Sequence, residues 1–313
     1  MRYLLIYFKG MLMGAADLVP GISGGTIALI TGVYKELLKS INAISWNAIS
    51  KFKTEGIKSV WIKLNGPFII AIFGGIISSI LILSRSIEWL MTYEPIGLWS
   101  FFLGLILASI LFLIKTELQY NTTSLIYILL GAIMSYLLTQ LRVISNETPL
   151  WYLFISGFIG ISAMILPGLS GAYILFIMGV YHTLLTKVRM AQDLLINFSH
   201  DKLIEVTSVL GVFLLGIVIG IKVFARFLTW LLELYPKKSI AVLIGLMVGA
   251  LNKIWPWQNQ SNKNIDETPV SMVAVLPQNY DGGDPEIIKS LILIFIGFVL
   301  LFAIEKSKVI FHK

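Results

Sequence analysis

Asp17–Tyr34 reads DLVPGISGGTIALITGVY, and Met164–Tyr181 reads MILPGLSGAYILFIMGVY. With Ser23 set on Ser170, Pro20 falls on Pro167, Gly21 on Gly168 and Gly24 on Gly171. Gly32, Val33 and Tyr34 fall on Gly179, Val180 and Tyr181, and upstream Gly10 falls on Gly157, all at a spacing of 147 residues. Further along the spacing shortens to 141, and there Arg85 meets Arg226, Trp89 meets Trp230, Pro95 meets Pro236 and Gly104 meets Gly245. Gly, Pro, Arg and Trp recurring in one order at two spacings mark an internal duplication with a difference in loop length.

Both copies of the motif lie in very apolar surroundings. Of the 313 residues 57% are hydrophobic and 13% charged, and the mean hydropathy is +0.86; soluble domains carry about a quarter charged residues. Runs such as 67–84, 98–114, 124–141, 208–221, 241–251 and 287–304 approach the roughly 20 residues that cross a bilayer core. They do not alternate as barrel strands would. The chain therefore reads as an all-α polytopic membrane protein. Its first apolar block contains Lys9 and runs into Asp17 and the corner, unlike a cleavable signal peptide.

Proline removes a helix donor and glycine weakens a helix. Each motif copy thus reads as a corner between two arms of about 15 residues, short for a full crossing. A re-entrant hairpin follows, with two crossings joined by the motif as the alternative. The first repeat is expected over 1–145, a hairpin at about 3–41 and three crossings. The second is expected over 146–313, a hairpin at about 151–188 and three crossings, with an extracytoplasmic loop at 255–286. Lys51, Lys53, Lys58, Lys63, Lys115, Lys237 and Lys238 then fall on the cytoplasmic side with both termini, in keeping with the positive-inside rule; Lys187, Arg189 and Lys202 are the exception, outside but accompanied by Asp193, Asp201 and Glu205. Three crossings separate the hairpins, so the repeats are expected in inverted topology, the arrangement of many secondary transporters.

A corner within a membrane survives only where protein or a polar cavity satisfies its backbone. The helix after it offers free N–H groups and a partial positive charge. Gly24, Gly25 and Gly171 admit close approach, and Ser23, Thr26 and Ser170 add hydroxyls, the means by which proteins hold phosphate. These residues are the candidate anion ligands; close helix packing of small residues is the competing explanation. Arg85 and Arg226 are candidates for a bidentate phosphate contact, against snorkelling beside Trp89 and Trp230. Asp17 has no counterpart, since Met164 occupies its place, and is a candidate for proton or sodium coupling against a capping role. The glycine-rich faces 74–79 and 216–220 suit either a lateral opening for a lipid tail or plain packing.

Other chemistries find little support. The chain has no cysteine, and His182, His200 and His312 lack metal-ligand spacing, so neither metal nor cofactor is expected. The GK[ST] ending of a nucleotide loop is missing. The net charge of +7 fits cytoplasmic lysines better than a nucleic-acid partner. An integral-membrane lipid phosphatase would rest on His182 alone, so no enzyme is expected; a small-anion or ion channel is the stronger alternative. The sequence carries no signal for oligomeric state.

The doubled motif, DLVPGISGGTIALITGVY with LPGLSGAYILFIMGVY, resembles the bacterial polyprenyl-phosphate transporter family, the undecaprenyl-phosphate translocases. The resemblance runs from the first hairpin to the last crossing. It implies a multi-pass plasma-membrane protein that returns undecaprenyl phosphate to the inner leaflet for reuse in envelope synthesis, with that lipid and the surrounding membrane as partners. Ala172 and Tyr173 stand where the first copy has Gly25 and Thr26, so the second corner is expected to have a different shape.

Overall fold

The computed structural model describes residues 2–18, 23–44, 56–118, 121–140, 149–194, 198–260 and 272–311, with side chains as far as Phe302 and without those of His182, Arg189 and Gln192. Pro20 and Gly21 of the first corner, Lys51, Lys53 and the 141–148 loop lie outside the described residues.

The first copy of the motif joins α1 (Arg2–Asp17) to α2 (Gly24–Ile30) and α3 (Tyr34–Ala43). The second joins α8 (Leu150–Ile165) to α9 (Gly171–Ile177) and α10 (Tyr181–Leu194). The returning arm expected as one helix is thus two in both copies. The repeated Gly-Val-Tyr is the cause. Gly32 and Gly179 both take φ of 72°, a left-handed conformation that glycine reaches without a Cβ penalty. Gly32 N–H donates to Leu29 O and Val33 N–H to Ala28 O; Gly179 N–H donates to Phe176 O and Val180 N–H to Leu175 O. This double bond pattern is the Schellman helix end, written twice.

Between and after these units lie α4 (Ile57–Lys63), α5 (Gly66–Tyr93), α6 (Pro95–Glu117), α7 (Thr122–Gln140), α11 (His200–Leu234), α12 (Pro236–Gly249) and α13 (Ile287–Phe311). Proline opens α6 and α12, where its missing donor costs nothing. The helices α5, α6, α7 and α11 are long and apolar enough to cross a membrane, while α8 and residues 287–302 of α13 are apolar but shorter. The chain is a multi-pass membrane protein. Buried residues concentrate on α6 and α12, and the other long helices turn exposed apolar faces outward, including Ile77, Leu81, Leu129, Leu215 and Phe295.

Four helix pairs carry most of the packing. In each, contacts advance in the same direction on both partners, so each pair is parallel. On α1 and α5, Gly10 abuts Ile72 and Gly14 abuts Ile76 and Ser79. On α8 and α11, Phe154 abuts Gly216 and Phe158 abuts Gly220. On α6 and α13, the Ser100 and Ser290 hydroxyls bond at 2.6 Å and Gly104 abuts Ile294. On α7 and α12, Gly131 abuts Val242, Ala132 abuts Gly249, and Asn252 donates to Thr139 Oγ1 at 3.2 Å. Two pairs form within a copy of the duplication, and two exchange helices between copies. The glycine faces 74–79 and 216–220 are therefore filled by α1 and α8. Small residues let these backbones meet where lipid supplies no hydrophobic drive.

Both motif units fold back on themselves. Glu36, in the first turn of α3, accepts from Arg2 Nη2 at 2.7 Å and from Asn65 Nδ2 at 3.0 Å. The start of α1, the start of α3 and the residue before α5 thereby meet. In the second unit Tyr152, early in α8, donates from its hydroxyl to Met178 O at 2.9 Å, and Lys187 of α10 pairs with Glu205 of α11. One departure from the duplication stands out: α3 is tied to α11 of the other copy. Lys222 Nζ donates to Ile41 O at 2.8 Å, and Asn42 Nδ2 donates to Thr229 Oγ1 at 2.8 Å. Leu81 replaces Lys222 in the first copy, so α5 lacks the same hold.

Two short strands lie in the described part of the 255–286 loop. A 3-10 turn (Ala250–Lys253) leads into strands β1 (Gln258–Gln260) and β2 (Met272–Ala274), paired antiparallel with Gln258 opposite Ala274. Trp257 is buried and its indole N–H donates to Pro285 O at 2.8 Å.

Candidate functional site

The two corners touch. Ser23 caps α2 by accepting from Gly25 N–H at 3.1 Å, and its own hydroxyl donates to Met164 O at 2.9 Å. Thr26 Oγ1 accepts from Gly168 N–H at 2.9 Å, and the Tyr34 hydroxyl donates to Ile165 O at 3.1 Å. The last carbonyls of α8 have no helical partners of their own; hydroxyls of the first corner supply them. Gly25 lies against the same carbonyls, since a β-carbon there would crowd Ile165 O. Gly168 has φ of 86° and would meet the Leu246 backbone with any side chain.

The start of α2 already faces an anionic group. Gly24 N–H donates to Asp17 Oδ1 at 2.6 Å, and the carboxylate fills the space beside Gly24. Ser23 and Thr26 are each 1% exposed. In this conformation Asp17, Ser23, Gly24, Gly25 and Thr26 are brought together and turned toward protein partners. The ends of α2 and α9 are also held unequally. Lys9 Nζ donates to Thr31 O at 2.8 Å after α2, whereas Tyr152 serves the equivalent Met178 O after α9.

The second corner is different. Ser170 caps α9 by accepting from Tyr173 N–H at 3.4 Å and is half-buried, with Gly171 buried behind it. It borders a cavity lined by Thr139, Gly168, Tyr173, Ala250 and Lys253. The Tyr173 hydroxyl donates to Thr139 O at 2.8 Å, and the Lys253 ammonium sits 4.7 Å from the Tyr173 ring centre. Among the described residues Lys253 has no carboxylate partner. Sequence reasoning missed Lys253 because it lies after an apolar run and has no counterpart, Phe112 standing at the matching position. The exchange of Thr26 for Tyr173 was the visible signal, since Tyr173 forms the floor under that ammonium.

Arg85 and Arg226 lie elsewhere. Both are exposed on outward faces of α5 and α11, and neither lines the cavity. Trp89 and Trp230, one turn on, are 54% and 53% exposed. A second cavity, wholly apolar, lies between α1, α2, α6 and α13 beside Leu12, Ile27, Phe101 and Leu301. No group of three or more His, Asp or Glu residues fit to hold a metal occurs among the described residues.

The family model described as undecaprenyl phosphate translocase-like matches residues 13–272. A polyprenyl-phosphate transporter of Vibrio cholerae is 38% identical over 314 aligned residues, covering 98% of this chain and 97% of its own. A polyprenyl-phosphate transporter of Staphylococcus aureus is 29% identical over 261 residues, covering 79% of this chain and 84% of its own. No solved structure matches.

Proposed function

The chain belongs to the undecaprenyl phosphate translocase-like family, and from that membership and the meeting of its two corners we propose that it carries undecaprenyl phosphate across the bacterial plasma membrane. The carrier would return from the outer to the inner leaflet, for reuse in cell-envelope synthesis. The observation that carries the reading is the junction itself: Ser23 and Thr26 of one motif copy bonded to Met164 and Gly168 of the other. A duplicated corner buried among membrane-length helices is how a transporter places polar backbone near the bilayer midplane.

The repeats are read as inverted, and the helix pairings support this. The joints α5–α6 at Glu94, α6–α7 at 118–121 and α11–α12 at Tyr235 are short, so each reverses the chain. With α7 parallel to α12 and α6 parallel to α13, equivalent helices of the two copies run in opposite directions. Both motif units then read as re-entrant hairpins that open on opposite faces. With the termini in the cytoplasm, the 255–286 segment is extracytoplasmic.

The phosphoryl group is handled at the corners. Ser170 borders the cavity in the conformation described and is read as the group's first contact there, while Gly171, Ser23, Gly24, Gly25 and Thr26 take it when the corners part. Asp17, held on Gly24 N–H, is read as the coupling group, because a buried carboxylate must be neutralised or paired to stay in a membrane. Exposure of Arg85 and Arg226 beside interfacial tryptophans favours headgroup contact over phosphate clamping.

Reconstitution tests the function. Purified protein in liposomes with labelled undecaprenyl phosphate in one leaflet should move the label to the other. No movement would refute the reading. Conductance independent of the lipid would point to a channel, and release of inorganic phosphate to a phosphatase.

A further inference from the structure

The duplication makes the two corners alike in sequence, but among the described residues their serines are engaged differently. Ser23 donates to Met164 O, whereas Ser170 only accepts, from Tyr173 N–H. Beside Ser170 lies the cavity, and Lys253 is among the residues that line it. The ammonium rests over the Tyr173 ring at 4.7 Å, and Tyr173 is itself pinned by its hydroxyl on Thr139 O. Gln258 Nε2 donates to Lys253 O at 2.9 Å and fixes the backbone that carries the lysine. A cation resting on one aromatic face still has N–H donors on its other side for an anion. A primary ammonium and a hydroxyl that donates to no acceptor among the described residues, both bordering one small cavity, are donors suited to the oxygens of a phosphoryl group.

We infer that Lys253 and Ser170, with Tyr173 as platform, form the site that first receives the phosphoryl headgroup. The inference rests on the proposed function and adds to it the residue that carries the positive charge. The site belongs to the second copy alone, because Phe112 and Thr26 occupy the positions of Lys253 and Tyr173 in the first. Lys253 also lies just before the 255–286 segment. The headgroup is thereby captured on the side from which that segment projects, and the first corner, engaged with protein, serves release.

The test uses the full chain in lipid nanodiscs with three probes: undecaprenyl phosphate, undecaprenol and inorganic phosphate. Wild-type protein should bind undecaprenyl phosphate more tightly than either of the others. Lys253→Gln should weaken that binding about tenfold to a hundredfold, the usual loss for a hydrogen bond to a charged group, while Lys253→Arg retains most of it. Unaltered affinity in a folded Lys253→Gln protein would overturn the inference. Inorganic phosphate binding as tightly as the lipid would also overturn it, in favour of a free-phosphate site. Failure of the wild type to bind undecaprenyl phosphate would sink the functional reading beneath it. A readout without any variant is protection of wild-type Lys253 from an amine-reactive reagent by undecaprenyl phosphate, followed by mass spectrometry. Protection is expected, and equal modification with and without lipid would contradict the site.

Discussion

Ser23→Ala and Ser170→Ala are the same change at duplicated positions, and they should differ in stability. Ser23 accepts from Gly25 N–H at 3.1 Å and donates to Met164 O at 2.9 Å, with 1% of its surface exposed. Loss of a helix cap costs ~1 kcal/mol. An interhelical hydrogen bond inside a membrane protein adds ~0.6 kcal/mol on average, and ~1.7 kcal/mol at the upper end. Ser23→Ala should therefore cost ~2 kcal/mol. Ser170 makes a cap of 3.4 Å and no second bond in the described structure, so its loss should cost ~0.5 kcal/mol. At a few degrees per kcal/mol, the apparent Tm should fall by ~4–8 °C for Ser23→Ala and ~1–2 °C for Ser170→Ala. Scanning fluorimetry in nanodiscs, at one scan rate for all variants, reads both. Equal drops, or a larger one for Ser170→Ala, would refute the unequal roles assigned to the two corners.

Thr26→Val removes the acceptor of Gly168 N–H and should destabilise the protein by ~1–3 kcal/mol, the cost of a buried donor left without a partner, measured by the same thermal scan. Asp17→Asn keeps an oxygen for Gly24 N–H but removes the charge; it should leave the fold intact and abolish the dependence of lipid transport on a proton or sodium gradient. Retained dependence would exclude Asp17 as the coupling group. Arg85→Lys and Arg226→Lys should transport at wild-type rates, because both arginines are exposed on outward faces and lysine reaches headgroups equally well. A loss at constant expression would return them to the phosphate site.

The duplication was legible because its residues are special for local reasons. Proline and glycine at a corner, and glycine at a Schellman end, leave few substitutes, so they recur at fixed spacings. The composition likewise announced membrane-length helices. What Gly32 and Gly179 do was not legible: Gly-Val-Tyr was visible as a repeat, but its bond pattern emerges only with the left-handed turn. The exchange of Gly25 and Thr26 for Ala172 and Tyr173 announced that the two corners differ, but not how. Ser23 and Ser170 share the Pro-Gly-x-Ser-Gly frame and differ in what other helices bring to them: Met164 O to the first and the Lys253 cavity to the second. Lys222, which ties α11 to α3, and Lys253 both lie outside the duplicated pattern. A search for symmetry discounts such residues, although they make the halves unequal. Asp17 was visible as an intramembrane charge, but its hold on Gly24 N–H required the fold.

In the proposed inverted arrangement the two corners enter from opposite faces of the membrane, and the segments flanking them must lie on opposite sides. The chain has no cysteine, so single cysteines report without background. Lys58→Cys lies just before α5, and Asp281→Cys lies in the segment before α13; both positions are exposed. In right-side-out vesicles a membrane-impermeant maleimide should label Asp281→Cys at once, and Lys58→Cys only after the membrane is permeabilised. Labelling of both without permeabilisation would put the two positions on one face and contradict the inverted arrangement.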